Sequence, residues 1–177
     1  MQTIRFSRPG LLAAAMLFTD ASVRAEPTSL ELILDCSASM WNKLEDGRYR
    51  IDGAKQVLSG FLATTSDSAD LHIGLRIYGS KVAFGKPGAC DDSVLVAPVE
   101  GFARSKMLEE VKNARAVGAT PLAKNLELAK ADFTKPGIRR LIVFTDGEES
   151  CDGDVRGALA SLKEAGIDVD VKIIGIG

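Results

Sequence analysis

Leu32-Ile33-Leu34-Asp35-Cys36-Ser37-Ala38-Ser39-Met40 runs an apolar segment straight into a carboxylate and two hydroxyls at alternate positions. Counted from Leu30 to Asp35 it is an almost continuous apolar run, the pattern of a strand covered on both faces and found inside parallel sheets. The polar residues that end it form a compact set of hard oxygen ligands, which suits a divalent cation better than it suits a core. Asp and Ser are common in loops, so the cluster gains meaning only if distant segments bring further ligands to it.

Working outward, strand-like and helical segments alternate. Leu30–Asp35 is the first strand, His72–Tyr78 the second, Ser93–Pro98 a shorter third, Leu141–Phe144 a fourth and Val169–Ile176 a fifth. Between them, Ile51, Ala54, Val57, Leu58, Phe61 and Leu62 follow helical spacing, and Met107, Leu108 and Val111 mark a second helix. Thr120-Pro121 opens a third, with Thr expected at the N-cap and Pro at the first helical position. A fourth spans Asp154 to Ala165 and is closed by Gly166. This alternation predicts an α/β fold of three layers, a doubly wound and mostly parallel sheet with helices on both faces. There is no internal repeat, low-complexity tract or interdomain linker.

The 177 residues suit one domain, and 46% hydrophobic with 26% charged residues is a globular composition. Residues 1–25 read as a secretory signal peptide: Arg5 and Arg8, an apolar stretch from Leu11 to Phe18, and Val23-Arg24-Ala25 before Glu26. The domain is then 26–177. Without the three arginines and Asp20 of the leader, the 22 basic and 24 acidic residues become a net charge of −4. No basic cluster is present, so nucleic acid is not an expected partner. No stretch is long enough to span a bilayer, which takes about 20 apolar residues. The protein is expected in the periplasm or outside the cell. There, three cysteines allow at most one internal bond. Cys90 and Cys151 lie in polar loops and an oxidising compartment favours their pairing, with three free thiols as the alternative. The chain stops at Gly177, directly after a strand that an α/β sheet would cover with a helix. A C-terminally incomplete domain is the expectation, and a naturally short relative with an exposed edge the alternative.

Ligands of open α/β sheets bind beyond the carboxyl ends of the strands, where the strand order switches. Three segments carry oxygen ligands to that edge: Asp35, Ser37 and Ser39 after the first strand, Thr120 at a helix start, and Asp146 in Thr145-Asp146-Gly147. Together they resemble the von Willebrand factor A (VWA) family, whose metal-ion-dependent adhesion site combines Asp-x-Ser-x-Ser with a distant Thr and a distant Asp. The resemblance extends from about residue 28 to the end. It is nearest to secreted bacterial members that carry a Cys in an Asp-Gly-Glu-Glu-x-Cys loop, here Asp146 to Cys151. It implies a Rossmann-like fold with a further strand and helices, and Mg²⁺, Mn²⁺ or Ca²⁺ as cofactor. It also implies direct contact of Ser37, Ser39 and Thr120 with the ion, and orienting or water-mediated roles for Asp35 and Asp146. A site of neutral hydroxyls leaves the ion short of anionic ligands, so the expected partner is a protein offering an Asp or Glu. Trp41, Glu148 and Glu149 are candidates for its contact rim.

Enzymatic readings fare worse. The single histidine, His72, opens the second strand and should lie at the far end of the sheet from Asp35 and Ser37, which leaves no triad. No Gly-x-Ser-x-Gly elbow occurs, and neither nucleotide-binding glycine motif is present. An aspartyl phosphatase would need a second carboxylate where Ser37 stands. The alternatives to a binding module are a structural subunit of an envelope assembly, its metal serving only stability, and a metal-dependent hydrolase.

Overall fold

The computed structural model describes residues 26–173; the leader reading at 1–25 and the end of the fifth strand lie outside the described residues. Five strands form one sheet in the order β3-β2-β1-β4-β5. β1 is Thr28–Asp35, β2 Leu71–Tyr78, β3 Ser93–Ala97, β4 Ile138–Thr145 and β5 Asp168–Ile173. β1 pairs in parallel with both β2 and β4, and β4 with β5. Among the described residues only β3 runs antiparallel to its neighbour, β2.

Four helices cover the sheet: α1 (Arg50–Thr64), α2 (Arg104–Asn113), α3 (Leu122–Asp132) and α4 (Val155–Glu164). From β1 the chain moves to one side of the sheet through α1, and from β4 to the other side through α4. Crossovers of one hand made in opposite directions put the two helices on opposite faces. The strands' period of two divides the core accordingly. Leu30, Leu32 and Leu34 of β1 join Ile73, Leu75 and Ile77 of β2 beneath Ala54, Leu58 and Leu62 of α1 and Met107 of α2. Ile33, Leu141 and Val143 face Leu126 and Ala129 of α3 and Leu162 of α4. The α/β architecture read from the alternation is therefore present. In β5, Val169 packs against the α3–α4 core while Val171 is 41% exposed.

One feature breaks the apolar pattern. Glu31, on the α3 side of β1, is fully buried, and Arg76 Nε donates to it at 3.2 Å. The same guanidinium reaches Asp132 and, at 3.1 Å, Ser93 Oγ. Ser93 donates to Asn125 Oδ1 and Asn125 Nδ2 to the Pro121 carbonyl, so a continuous, partly buried polar chain ties β1 and β2 to the start of α3. Burial, with the nearby Asp132 carboxylate, pushes the Glu31 carboxyl up to about 8, because one cation serves two acids there.

The start of α3 differs from expectation by one residue. Pro121, at ψ 60°, is the N-cap and offers no side-chain acceptor; the first turn is met instead by Glu149, which accepts the Ala123 N–H. Thr120 thus sits one position earlier, its hydroxyl not spent on capping.

Candidate functional site

The order of the sheet reverses between β1 and β4, and both strands end there, with Asp35 and Thr145 as their last residues. Asp35 is closed to solvent. Its Oδ1 accepts the Ser37 N–H at 2.6 Å and its Oδ2 the Thr145 hydroxyl at 2.6 Å. Burial pushes this carboxyl above its ordinary range, and the hydrogen bonds from Ser37 and Thr145 pull back against it. With both oxygens engaged, Asp35 fixes the turn that carries the serines. Ser37 Oγ and Ser39 Oγ lie 2.9 Å apart. Ser39 donates to Asp146 Oδ1 at 2.8 Å, joining the two strand ends across 107 residues.

Thr120 arrives on a segment held by main chain. Gly118 N donates to Gly79 O at 2.7 Å, and Ala38 N to Gly118 O at 2.9 Å. Glycine is required at this crossing, since a Cβ on Gly118 would lie 2.3 Å from Gly79 Cα, and Gly79 itself adopts φ +69°. Thr120 N donates to Ser150 Oγ at 2.8 Å, and Ser150 N returns a bond to Thr120 O at 3.0 Å. Ser37, Ser39, Thr120, Gly147, Glu148 and Ser150 line a common cavity of about 290 Å³, with Phe84 at its edge. A Cβ on Gly147 would sit 3.4 Å from Ser39 Oγ and 3.8 Å from Thr120 Oγ1, so the missing side chain leaves room between these hydroxyls.

Four hydroxyl residues, Ser37, Ser39, Thr120 and Ser150, thus line one space, and two buried carboxylates, Asp35 and Asp146, hold the serines from behind. Among the described residues no group of three or more His, Cys, Asp or Glu is placed to hold a metal. The donor set here is of another kind, hard oxygens with few charges, and it fits a hard divalent ion that retains some of its water.

Of the rim candidates, Glu148 is exposed beside the cavity. Trp41 is 58% exposed, its ring 4.4 Å from that of Tyr49. Glu149 is turned inward, accepting the Ala123 N–H at 2.8 Å and the Cys151 N–H at 2.7 Å. Cys90 and Cys151 meet with Cα atoms 5.7 Å apart and sulfurs at 2.05 Å, while Cys36 is a buried free thiol. His72 pairs with Ser29 near the start of β1, at the opposite end from Asp35 and its neighbour Tyr78.

The sequence reading did not single out Arg50, Ser150 or Phe84. Arg50 Nη1 donates to Asp146 Oδ2 at 2.6 Å. A signal existed, because Arg50 is the first residue of α1, where the helix dipole disfavours a cation unless an acid compensates. Phe84 is 62% exposed, unusual for so large an apolar side chain.

No protein-family model matches the chain. The uncharacterized protein YwmD of Bacillus subtilis is 29% identical over 164 residues, which cover 88% of this chain and 70% of YwmD. Among solved structures, a von Willebrand factor type A protein from Catenulispora acidiphila superposes with a TM-score of 0.59 at 23% identity, over 86% of this chain and 34% of that one. The fold is that of the VWA domain. Manganese-loaded TRAP protein of Plasmodium vivax shares it, with a TM-score of 0.62 at 19% identity over 86% of this chain and 59% of its own. In the VWA fold seen here, the cavity lies where open α/β sheets bind their ligands, at the switch in strand order.

Proposed function

We propose that this chain is an exported, metal-dependent protein-binding module. Ser37, Ser39 and Thr120 would hold a divalent cation of the Mg²⁺, Mn²⁺ or Ca²⁺ type, with Asp35 and Asp146 orienting them from behind. A bound ion would supply an open coordination position for a carboxylate, offered by an Asp or Glu of a protein partner. The convergence of Ser37 and Ser39 from one turn and Thr120 from a second segment on one cavity, with two buried carboxylates behind the serines, carries this reading. That a manganese-loaded protein shares the fold is consistent with it. Exposed Trp41, Glu148 and Phe84 supply the surroundings in which a partner would be selected. The leader-like residues 1–25 and the facing Cys90 and Cys151 support an oxidising location, periplasmic or secreted. Among the described residues no helix is long and apolar enough to cross a membrane.

A binding role is favoured over catalysis because the single histidine lies at the other end of the sheet. It is favoured over a purely structural metal because Asp146 already has a protein cation as its partner. Calorimetric titration with Mn²⁺ tests the site directly. Wild type should bind, and Asp146→Ala should lose binding with little change in circular dichroism; unaltered binding in the variant sinks the assignment. If EDTA unfolds the protein at temperatures where the loaded form is stable, the structural reading wins instead.

A further inference from the structure

Arg50 projects from the first turn of α1 into the metal-side acid, Asp146. The Asp146 side chain is fully closed to solvent, while that of Arg50 is 26% exposed. The pair is close, at 2.6 Å, yet poorly completed: Arg50 Nε is buried with no hydrogen-bond partner. Arginine–carboxylate pairs are frequently bidentate, with two parallel bonds. Here one nitrogen meets one oxygen, and the other oxygen of Asp146 takes the Ser39 hydroxyl.

Building on the function proposed above, we infer that Arg50 is a tethered cation that stands in for the metal. In the metal-free protein it neutralises Asp146, which would otherwise be a buried acid with only a hydroxyl for company. With an ion bound it alters the charge count. Asp35 and Asp146 are the acids behind the serine turn, and Arg50 adds its own positive charge to that of an ion held beside them. That added charge opposes metal entry and favours an anionic group arriving from outside. Arg50 therefore acts in opposite directions on the two affinities, weakening the hold on the ion and strengthening the preference for a carboxylate over a neutral ligand. The apo protein stays folded, and the ion is held most firmly when an acid arrives with it.

The test compares wild type with Arg50→Gln, which keeps a hydrogen-bond donor without the charge, and with Arg50→Lys, which keeps the charge. Three quantities are read: Mn²⁺ affinity by calorimetry, acetate affinity of the Mn²⁺-loaded protein by water-proton relaxation, and the melting temperature in EDTA and in saturating Mn²⁺. Arg50→Gln should bind Mn²⁺ about tenfold more tightly, the factor that one pKa unit of differential interaction represents. It should bind acetate more weakly, and should melt below wild type in EDTA but not in Mn²⁺. Arg50→Lys should resemble wild type. Equal loss of melting temperature with and without Mn²⁺, or unchanged or weaker Mn²⁺ affinity in Arg50→Gln, overturns the inference and makes Arg50 a brace. In that case wild type still binds Mn²⁺ and the proposed function stands. If neither wild type nor Arg50→Gln binds Mn²⁺, both readings fall.

Discussion

Replacing Gly118 with Ala puts the geometry of the site to a severe test. The new Cβ would lie 2.3 Å from Gly79 Cα and 2.7 Å from both its carbonyl carbon and oxygen. These are main-chain atoms and cannot rotate aside, and Gly79, at φ +69°, occupies a conformation that constrains its own adjustment. Relief to 3.4 Å requires the 117–120 segment to retreat by about 1 Å. Such a shift strains the Gly118–Gly79 and Ala38–Gly118 hydrogen bonds, now 2.7 and 2.9 Å. Overpacking typically costs about 1–3 kcal/mol, and each weakened hydrogen bond contributes about 1 kcal/mol. A total near 3 kcal/mol is expected from these terms, read as a lowered urea midpoint with unchanged m-value. Thr120, two residues on, should be carried away from Ser39, so Mn²⁺ affinity measured on folded protein should fall at least tenfold. Gly60→Ala is the control. Gly60 lies within α1 with nothing within 4 Å of its would-be Cβ, and the substitution should stabilise by about 0.5–1 kcal/mol. A Gly118→Ala protein that loses under about 1 kcal/mol and binds Mn²⁺ like wild type refutes the reasoning.

Glu31→Gln should change the pH dependence of stability. Folding raises the Glu31 carboxyl from 4.5 to about 8, so the folded state holds the extra proton and wild type loses stability as pH rises across that window. Relative to wild type the variant should gain by up to about 1.4 kcal/mol per pH unit between those values, and a flat difference in urea midpoints from pH 5 to 8 would disprove it. The double variant Cys90→Ser/Cys151→Ser frees a loop closed across 61 residues, an entropic loss of about 4 kcal/mol. Unreduced wild type in denaturant should titrate one thiol, and a count of three would remove the bond. That thiol, Cys36, is pushed far above its ordinary pKa by burial and then by the Asp35 charge. It should resist a thiol reagent at pH 8 in folded protein and react only as the protein unfolds; rapid native labelling would contradict its placement.

Much of the architecture was legible because its causes are local. The apolar run before Asp35 and its counterpart before Asp146 each mark a strand, and strand–helix alternation orders them in parallel. The direction of β3 was less visible. Its link to β2 runs from Gly79 to Asp92 with only a short 3-10 turn, too little for a parallel crossover helix, and that brevity was the available clue. The helix after Thr120 starts one residue later than its Thr-Pro signal suggests, because Pro121 takes a ψ that delays it. Glu31 carried no signal of its pairing, since its partner, Arg76, is 45 residues away. Arg50 was hidden for the same reason, its acid being 96 residues distant. Pairings of that range leave no periodic trace in a sequence; only an oddity of charge, a cation at a helix start, betrays them.

The crossing at Gly79 and Gly118 has a bearing on how such a domain diversifies. The segment that carries Thr120 rests on main chain against main chain there, with no side chain in the contact to be tuned. Phe84 hangs from the same segment through its N–H to Val117 O, and with Trp41 and Glu148 projects outward. Chassis and tooling are thereby separate: the outward residues can be exchanged wholesale, in nature or in a library, while the hydroxyl geometry stays put. The rim of a domain of this construction can be changed without the cavity being rebuilt.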